Sequence, residues 1–176
     1  WRMRADGARG WRHVVPSPKP QHICDISLIQ VLARRGTVVI AGGGGGIPVV
    51  RGPKGVRHGV EAVIDKDMTS AKMANVLGIG TLLLLTAVPK VAIDYGRPGQ
   101  RDLDRVSLGD LKRHHAEGQF PPGSMGPKIE AAIRFLEGGG ERVVIAALDD
   151  AMAALAGRTG THVVSEVRRK SEWVED

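Results

Sequence analysis

Apolar residues in this chain come in two rhythms. Short solid runs predict strands buried on both faces: Thr37–Ala41, Thr81–Thr86 and Arg142–Ala147. Val60–Ile64, Val91–Tyr95 and Thr161–Ser165 read as further short strands, the second as part of a hairpin. Between them the spacing turns helical. In Asp25–Arg35 the apolar Ile26, Ile29, Val31 and Leu32 recur at roughly helical spacing, and Gly36 is placed to end the helix. Helices are also predicted over Ser70–Leu77, Leu108–Glu117, Pro127–Glu137 and Asp149–Leu155. Asp67 or Thr69 can cap the first of these, Gly78 ends it, and Ser107 caps the next.

Solidly apolar strands that alternate with helices call for an α/β fold. The expected architecture is three layers, αβα, around an open, mainly parallel sheet. In such sheets ligands sit beyond the carboxyl ends of the strands. Residues 1–22 differ: Pro16, Pro18 and Pro20 cannot continue a helix, so this segment is extended or looped. The chain thus divides into 1–22, a main α/β domain over 23–165, and a charged tail over 166–176.

Composition narrows the function. Hydrophobic residues make up 42% of the 176 residues, which predicts a packed core, but aromatics only 3%, so the core is aliphatic. The net charge of +6 is scattered, densest at Arg168, Arg169 and Lys170, and no helix carries a basic stripe. That argues for anionic small molecules over nucleic acid. The lone Cys24 excludes an internal disulfide and fits a reduced, cytoplasmic setting as a small buried hydrophobe. No apolar run is long enough to span a membrane. The six histidines show no metal-ligand spacing, Cys24 has no CxxC partner, and no Gly-x-Ser-x-Gly elbow occurs.

Four places carry candidate chemistry. Gly42–Gly46 opens directly from a predicted strand into Ile47 and Pro48. Five glycines leave backbone N–H groups uncovered, which suits an anion, although a flexible turn has the same composition. It is neither a Walker A loop, since no Gly-Lys-Ser/Thr follows, nor a dinucleotide fingerprint, since Pro48 breaks the entry into a helix. Ile64-Asp65-Lys66-Asp67 places a lysine between carboxylates, which hold it charged and fixed in direction. Phosphoryl transfer needs such a cation, yet a solvated helix start looks the same. Pro122–Lys128 leads into a helix start with Lys128 in the first turn, where the dipole disfavours a cation unless an anion compensates it. An ordinary capped helix with an exposed lysine is the alternative. The strand end and return from Thr86 through Val91 to Tyr95 holds the only tyrosine, suited to flank a purine or to half-bury in the core.

Taken together these stretches resemble carbamate kinase, of the amino acid kinase family. The matching segments are Arg9–Arg12 with Val14–Pro20, Gly43–Val49 (GGGGIPV), Gly59–Asp67 (GVEAVIDKD), Gly118–Lys128 (GQFPPGSMGPK) and Gly157–Thr161 (GRTGT). They occur in family order and span nearly all of the chain to about Val164. The resemblance implies the amino-acid-kinase fold with its N-terminal part missing. Residues 1–22 would then be the remnant of a small projecting subdomain and its return. It implies reversible transfer of a phosphoryl group between ATP and carbamate, with ATP/ADP and Mg2+, a homodimer, and a place in arginine metabolism. It assigns Lys66, Asp67 and Lys128 to the reaction centre, with Asp67 organising the lysines and both lysines meeting the terminal phosphates. Gly43, Gly44 and Gly45 form the phosphate/carbamate loop. Thr86, Val91, Tyr95 and Met125 join Lys128 on the nucleotide. No resident metal ligand is implied.

The departures are specific. The family's Gly-Gly-Asn phosphate loop and His-Gly-Asn-Gly segment do not occur here, and the chain begins with Trp1. Arg2 and Arg4 stand near the place of a family lysine, and arginine is not an equivalent phosphate contact. Ala87 and Pro89 stand where family members often carry an acidic residue. The expectation is a piece with little or no activity of its own. A non-catalytic nucleotide-binding remnant, or another member of the family such as an acetylglutamate or aspartate kinase, are the alternatives.

Overall fold

The computed structural model describes residues 1–5, 7 and 10–165. Arg9, the Arg168–Lys170 cluster and the charged tail over 166–176 therefore lie outside the described residues. Packing divides the chain into two compact units, Trp1–Thr69 and Ser70–Asp176.

The first unit is thin. Strands β1 (Met3–Ala5) and β2 (Trp11–His13) pair antiparallel, and the Trp1 ring stacks on His13 at 5.3 Å. The proline stretch that follows has no regular structure, as its composition requires. Helix α1 (Ile26–Arg34) ends where predicted, with Gly36 at φ +81° and its amide on the Ala33 carbonyl. None of its residues is buried, and Leu28 and Val31 remain exposed. Strands β3 (Val49–Arg51) and β4 (Arg57–Gly59) form a second hairpin, closed by a 3-10 turn at Pro53–Gly55.

Two sequence expectations fail in this unit. Thr37–Ala41 is not a buried strand: it pairs with no neighbour among the described residues, and Val38 and Ile40 are 91% and 98% exposed. Val60–Ile64 is not a sheet strand either. Its amides bond individually, Val60 to the Pro48 carbonyl and Val63 to the Pro16 carbonyl. An apolar β-branched run becomes a strand only when another strand offers a hydrogen-bonding edge, which no local pattern can guarantee.

Helix α2 (Lys66–Leu77) starts four residues earlier than predicted. The cap is Asp65, not Asp67 or Thr69: its Oδ1 accepts the Asp67 and Met68 amides at 2.9 and 3.0 Å. Gly78, at φ +69°, ends the helix as expected.

The second unit holds the core. Strand β5 (Thr81–Thr86) matches its predicted bounds. Strand β6 (Val91–Ile93) pairs antiparallel with β7 (Arg101–Leu103), which the sequence pattern did not reveal, and β8 (Arg105–Ser107) follows. Ser107 caps α3 (Leu108–Ala116), accepting the Asp110 amide at 3.0 Å. Helix α4 (Met125–Glu137) begins two residues before Pro127. Strand β9 (Arg142–Ala147) again matches, and a 3-10 turn leads into the short α5 (Ala151–Leu155) and then β10 (Thr161–Val164).

The main sheet runs β5-β9-β10-β8. β5 is parallel to β9 and β10 to β8, while β9 and β10 are antiparallel, so the sheet is mainly parallel and the architecture is α/β as expected. Four consecutive residues of β9, Val143 to Ala146, are fully buried. Only a strand covered on both faces can be apolar without alternation. One face carries Val144 and Ala146 packed with Ala154 of α5, Leu83 and Leu85. Helix α4 also packs on β9 and brings the buried Ile129, Ala132 and Phe135 into the core. Beside Phe135, a Cβ on Gly140 would lie 2.3 Å from the ring, so the turn into β9 closes on a bare backbone.

Phe135 is one of only two phenylalanines and, among the described residues, the largest fully buried side chain. Phe135→Ala is expected to cost about 3–5 kcal/mol, read as a lowered urea midpoint at unchanged m-value.

Candidate active site

The first unit brings two of the four candidate segments together. Gly42–Gly46 turns back on itself, the Gly45 amide bonding the Gly42 carbonyl at 2.8 Å. The loop then presses on the chain just before α2. A Cβ on Gly45 would stand 1.8 Å from the Ile64 carbonyl oxygen, and Gly45 has φ +134°. Only glycine satisfies both demands. A groove of about 520 Å³ opens here, lined by Gly42, Gly43, Gly44, Gly46, Ile47, Ala62, Val63 and Ile64.

The IDKD segment forms the adjoining helix start. Asp65 spends its carboxylate on the first-turn amides of Asp67 and Met68, so those amides are already engaged. Lys66 occupies the first helical position, where the dipole opposes a cation. Two carboxylates offset that cost: Asp65 in the cap, and Asp67, whose Oδ2 lies 3.7 Å from Lys66 Nζ. The lysine side chain is 58% exposed while that of Asp67 is nearly buried. A recessed carboxylate therefore pairs with an exposed ammonium at the mouth of the helix.

Sequence reasoning passed over Thr69 except as a possible cap. Its hydroxyl donates to the Gly45 carbonyl at 2.8 Å, and its own amide bonds the Asp65 carbonyl at 3.0 Å. The residue is 5% exposed. A threonine two places after IDKD was the only signal in the sequence, and its partner lies 24 positions away.

The second unit carries the other candidates. Thr86 is half-buried at the carboxyl end of β5. Val91 is fully buried, and its amide donates to Thr161 Oγ1 at 2.9 Å, so this residue is committed to the core of the unit. Thr161 Oγ1 also donates to the Leu103 carbonyl, which ties β10 to the β6–β7 hairpin. Tyr95 stands just past β6 and is 62% exposed, not folded into the core. Between them Asp94 takes φ +52°, with its amide on Gln119 Oε1 at 2.8 Å. Lys90 pairs with Asp104 at the base of the hairpin; that hydrogen bond and the carboxylate charge raise the lysine's pKa above its ordinary value.

Met125 and Lys128 lie in the first turn of α4. Ser124 precedes the helix without capping it through its side chain. Instead the Gly126 amide folds back on the Pro121 carbonyl at 2.8 Å, and a Cβ on Gly126 would crowd that same oxygen at 2.9 Å. This close turn sets the start of the helix. Lys128 is 9% exposed, unlike the solvated lysine of the ordinary capped-helix alternative.

Among the described residues no group of three or more His, Cys, Asp or Glu is arranged to hold a metal ion. No helix among the described residues is long and apolar enough to cross a membrane.

The glycines differ in what they tolerate. Gly45→Ala is expected to lower stability by about 2 kcal/mol or more, because the loop must leave its seat. Gly44 has open space where its Cβ would lie, and Gly44→Ala should stay within about 0.5 kcal/mol of the parent. Urea titrations of the two variants check the contrast.

Comparisons with known proteins identify the family. The model of the amino acid kinase family matches residues 4–147. The carbamate kinase of Thermococcus kodakarensis is 50% identical over 166 residues, covering 94% of this chain and 52% of that protein. A carbamate kinase-like protein of Escherichia coli is 47% identical over 164 residues, with 93% and 52% covered. Among solved structures, carbamate kinase from Giardia lamblia bound to AMP-PNP superimposes with a TM-score of 0.87 at 40% identity, covering 93% of this chain and 52% of that one. The chain spans about half the length of these relatives. It belongs to the amino acid kinase family.

Proposed function

We propose that this chain is the nucleotide- and phosphate-handling portion of a carbamate kinase, which exchanges a phosphoryl group between ATP and carbamate. The observation that carries the proposal is the seat of Gly45 on Ile64, directly beside the Asp65-capped helix start that presents Lys66. A bare-backbone loop and a tethered ammonium beside one groove suit the oxygens of a phosphoryl group. The carbamate kinase relatives supply the substrate class, and the Giardia enzyme was solved with an ATP analogue.

The roles follow from chemistry. Phosphoryl transfer proceeds with little covalent help from the protein, so catalysis is positioning and charge neutralisation. Lys66 contributes a cation to the transferred group, and Asp67 restrains it. Lys128 contributes the second cation, from a recessed helix start. Gly43, Gly44 and Gly45 line the phosphate or carbamate. Thr86, Tyr95 and Met125 flank the nucleotide; Val91 serves it by supporting the strand beneath. Mg2+ accompanies ATP as the counter-ion of its phosphates, a role that calls for few protein ligands. The proposal extends to a homodimer in the cytoplasm acting in arginine metabolism.

A second proposal concerns the 176 residues by themselves: they bind nucleotide but turn over little. The half-length coverage favours this, because the Gly-Gly-Asn and His-Gly-Asn-Gly segments do not occur in the sequence.

Calorimetry with ATP and a luciferase assay of ATP formation from ADP and carbamoyl phosphate test both. The chain should bind ATP, and Lys128→Ala should weaken binding by about tenfold or more, the loss of one charge-assisted contact. Turnover should fall far below that of the Thermococcus enzyme assayed alongside. Undetectable ATP binding would overturn the first proposal, and full turnover the second.

A further inference from the structure

We infer that Thr69 is a positioning residue for the phosphoryl site, holding the Gly45–Gly46 peptide in the orientation that presents an N–H to an anion. The inference rests on the proposed function and adds a residue to it.

The hydrogen bond is specific in direction. Thr69 Oγ1 donates to the Gly45 carbonyl at 2.8 Å in a buried setting. The peptide that follows Gly45 is trans and planar, so its N–H, that of Gly46, points opposite to the carbonyl. Holding the oxygen against α2 therefore turns the Gly46 N–H away from α2. Gly46 lines the groove beside Lys66's helix. With the other orientation of this peptide, an oxygen would face an arriving phosphate where a donor is needed.

Glycine makes such control necessary. Gly45 and Gly46 both have positive φ, and neither carries a Cβ to bias the peptide between them. A five-glycine loop has many conformers of similar energy. The steric seat of Gly45 on Ile64 fixes where the loop lies. The Thr69 hydroxyl fixes which way its peptide faces. Because the Thr69 amide also bonds the Asp65 carbonyl, the same helical turn registers the loop, the cap and Lys66.

Removing the hydroxyl while keeping the shape isolates this role. Thr69→Val is close to isosteric and leaves the Gly45 carbonyl without its donor; Thr69→Ser keeps the donor. The full 176-residue chain, labelled with 15N, is titrated with carbamoyl phosphate while the glycine-loop amides are followed by NMR. In the parent the Gly46 amide is expected to shift on titration. In Thr69→Val the dissociation constant should rise about tenfold and the loop amides exchange faster with solvent, with Thr69→Ser within about threefold of the parent. Ala71→Gly, a buried substitution two residues further along α2, should lower the melting temperature without changing that constant. Should the valine variant fail to fold, Thr69→Ala, which has no side-chain donor, is read in its place.

Parent-like affinity in the valine or alanine variant overturns the role of Thr69 and leaves the proposed function standing. An equal loss in Ala71→Gly overturns it too, since the effect would then be one of stability. No response of the parent loop to carbamoyl phosphate overturns the loop assignment, and the role of Thr69 with it.

Discussion

The carboxylate of Asp65 takes two amides of the first turn of α2, and the arrangement of the candidate site descends from that cap. It starts the helix at Lys66, so Lys66 and Asp67 leave the backbone in the first turn, where their side chains meet at 3.7 Å. It also consumes donors that a helix N-terminus would otherwise offer to a phosphate. Under the proposed function, the lysine and the glycine loop are left to meet the anion.

Close backbone approach recurs as the means of holding these parts. Gly45 lies on the Ile64 carbonyl, Gly126 on the Pro121 carbonyl, and Gly140 under the Phe135 ring. In each case the space for a Cβ is already occupied. The first contact seats the proposed phosphate loop, the second sets the start of the helix bearing Lys128, and the third closes α4 onto β9. A chain with few aromatics packs its core with aliphatic side chains and lets glycine bring backbones together.

The two units differ in how complete their packing is. Around β9 both faces are covered, and every residue from Val143 to Ala146 is buried. In the first unit α1 buries nothing, and the apolar segment after it stays open. The same kind of sequence signal, a short β-branched run, precedes both outcomes.

The fold was legible where local chemistry decides structure. The bounds of β5 and β9, the Ser107 cap and the Gly36 and Gly78 stops could be read directly, because continuous apolar runs and capping residues act within a few positions. The candidate segments were legible as well: glycines after a strand, a lysine between carboxylates, and a lysine at a helix start each state a chemical preference without reference to the rest of the chain. Tertiary structure alone decided the remainder. Whether Thr37–Ala41 becomes a strand depends on a partner edge, which lies outside its own residues. Val91 turned inward because Thr161, 70 positions on, accepts its amide. Thr69 found its partner only because Gly45 comes within reach of its hydroxyl. Propensity and capping are local energies written residue by residue; hydrogen-bond partners and close contacts between distant segments exist only once the chain has folded.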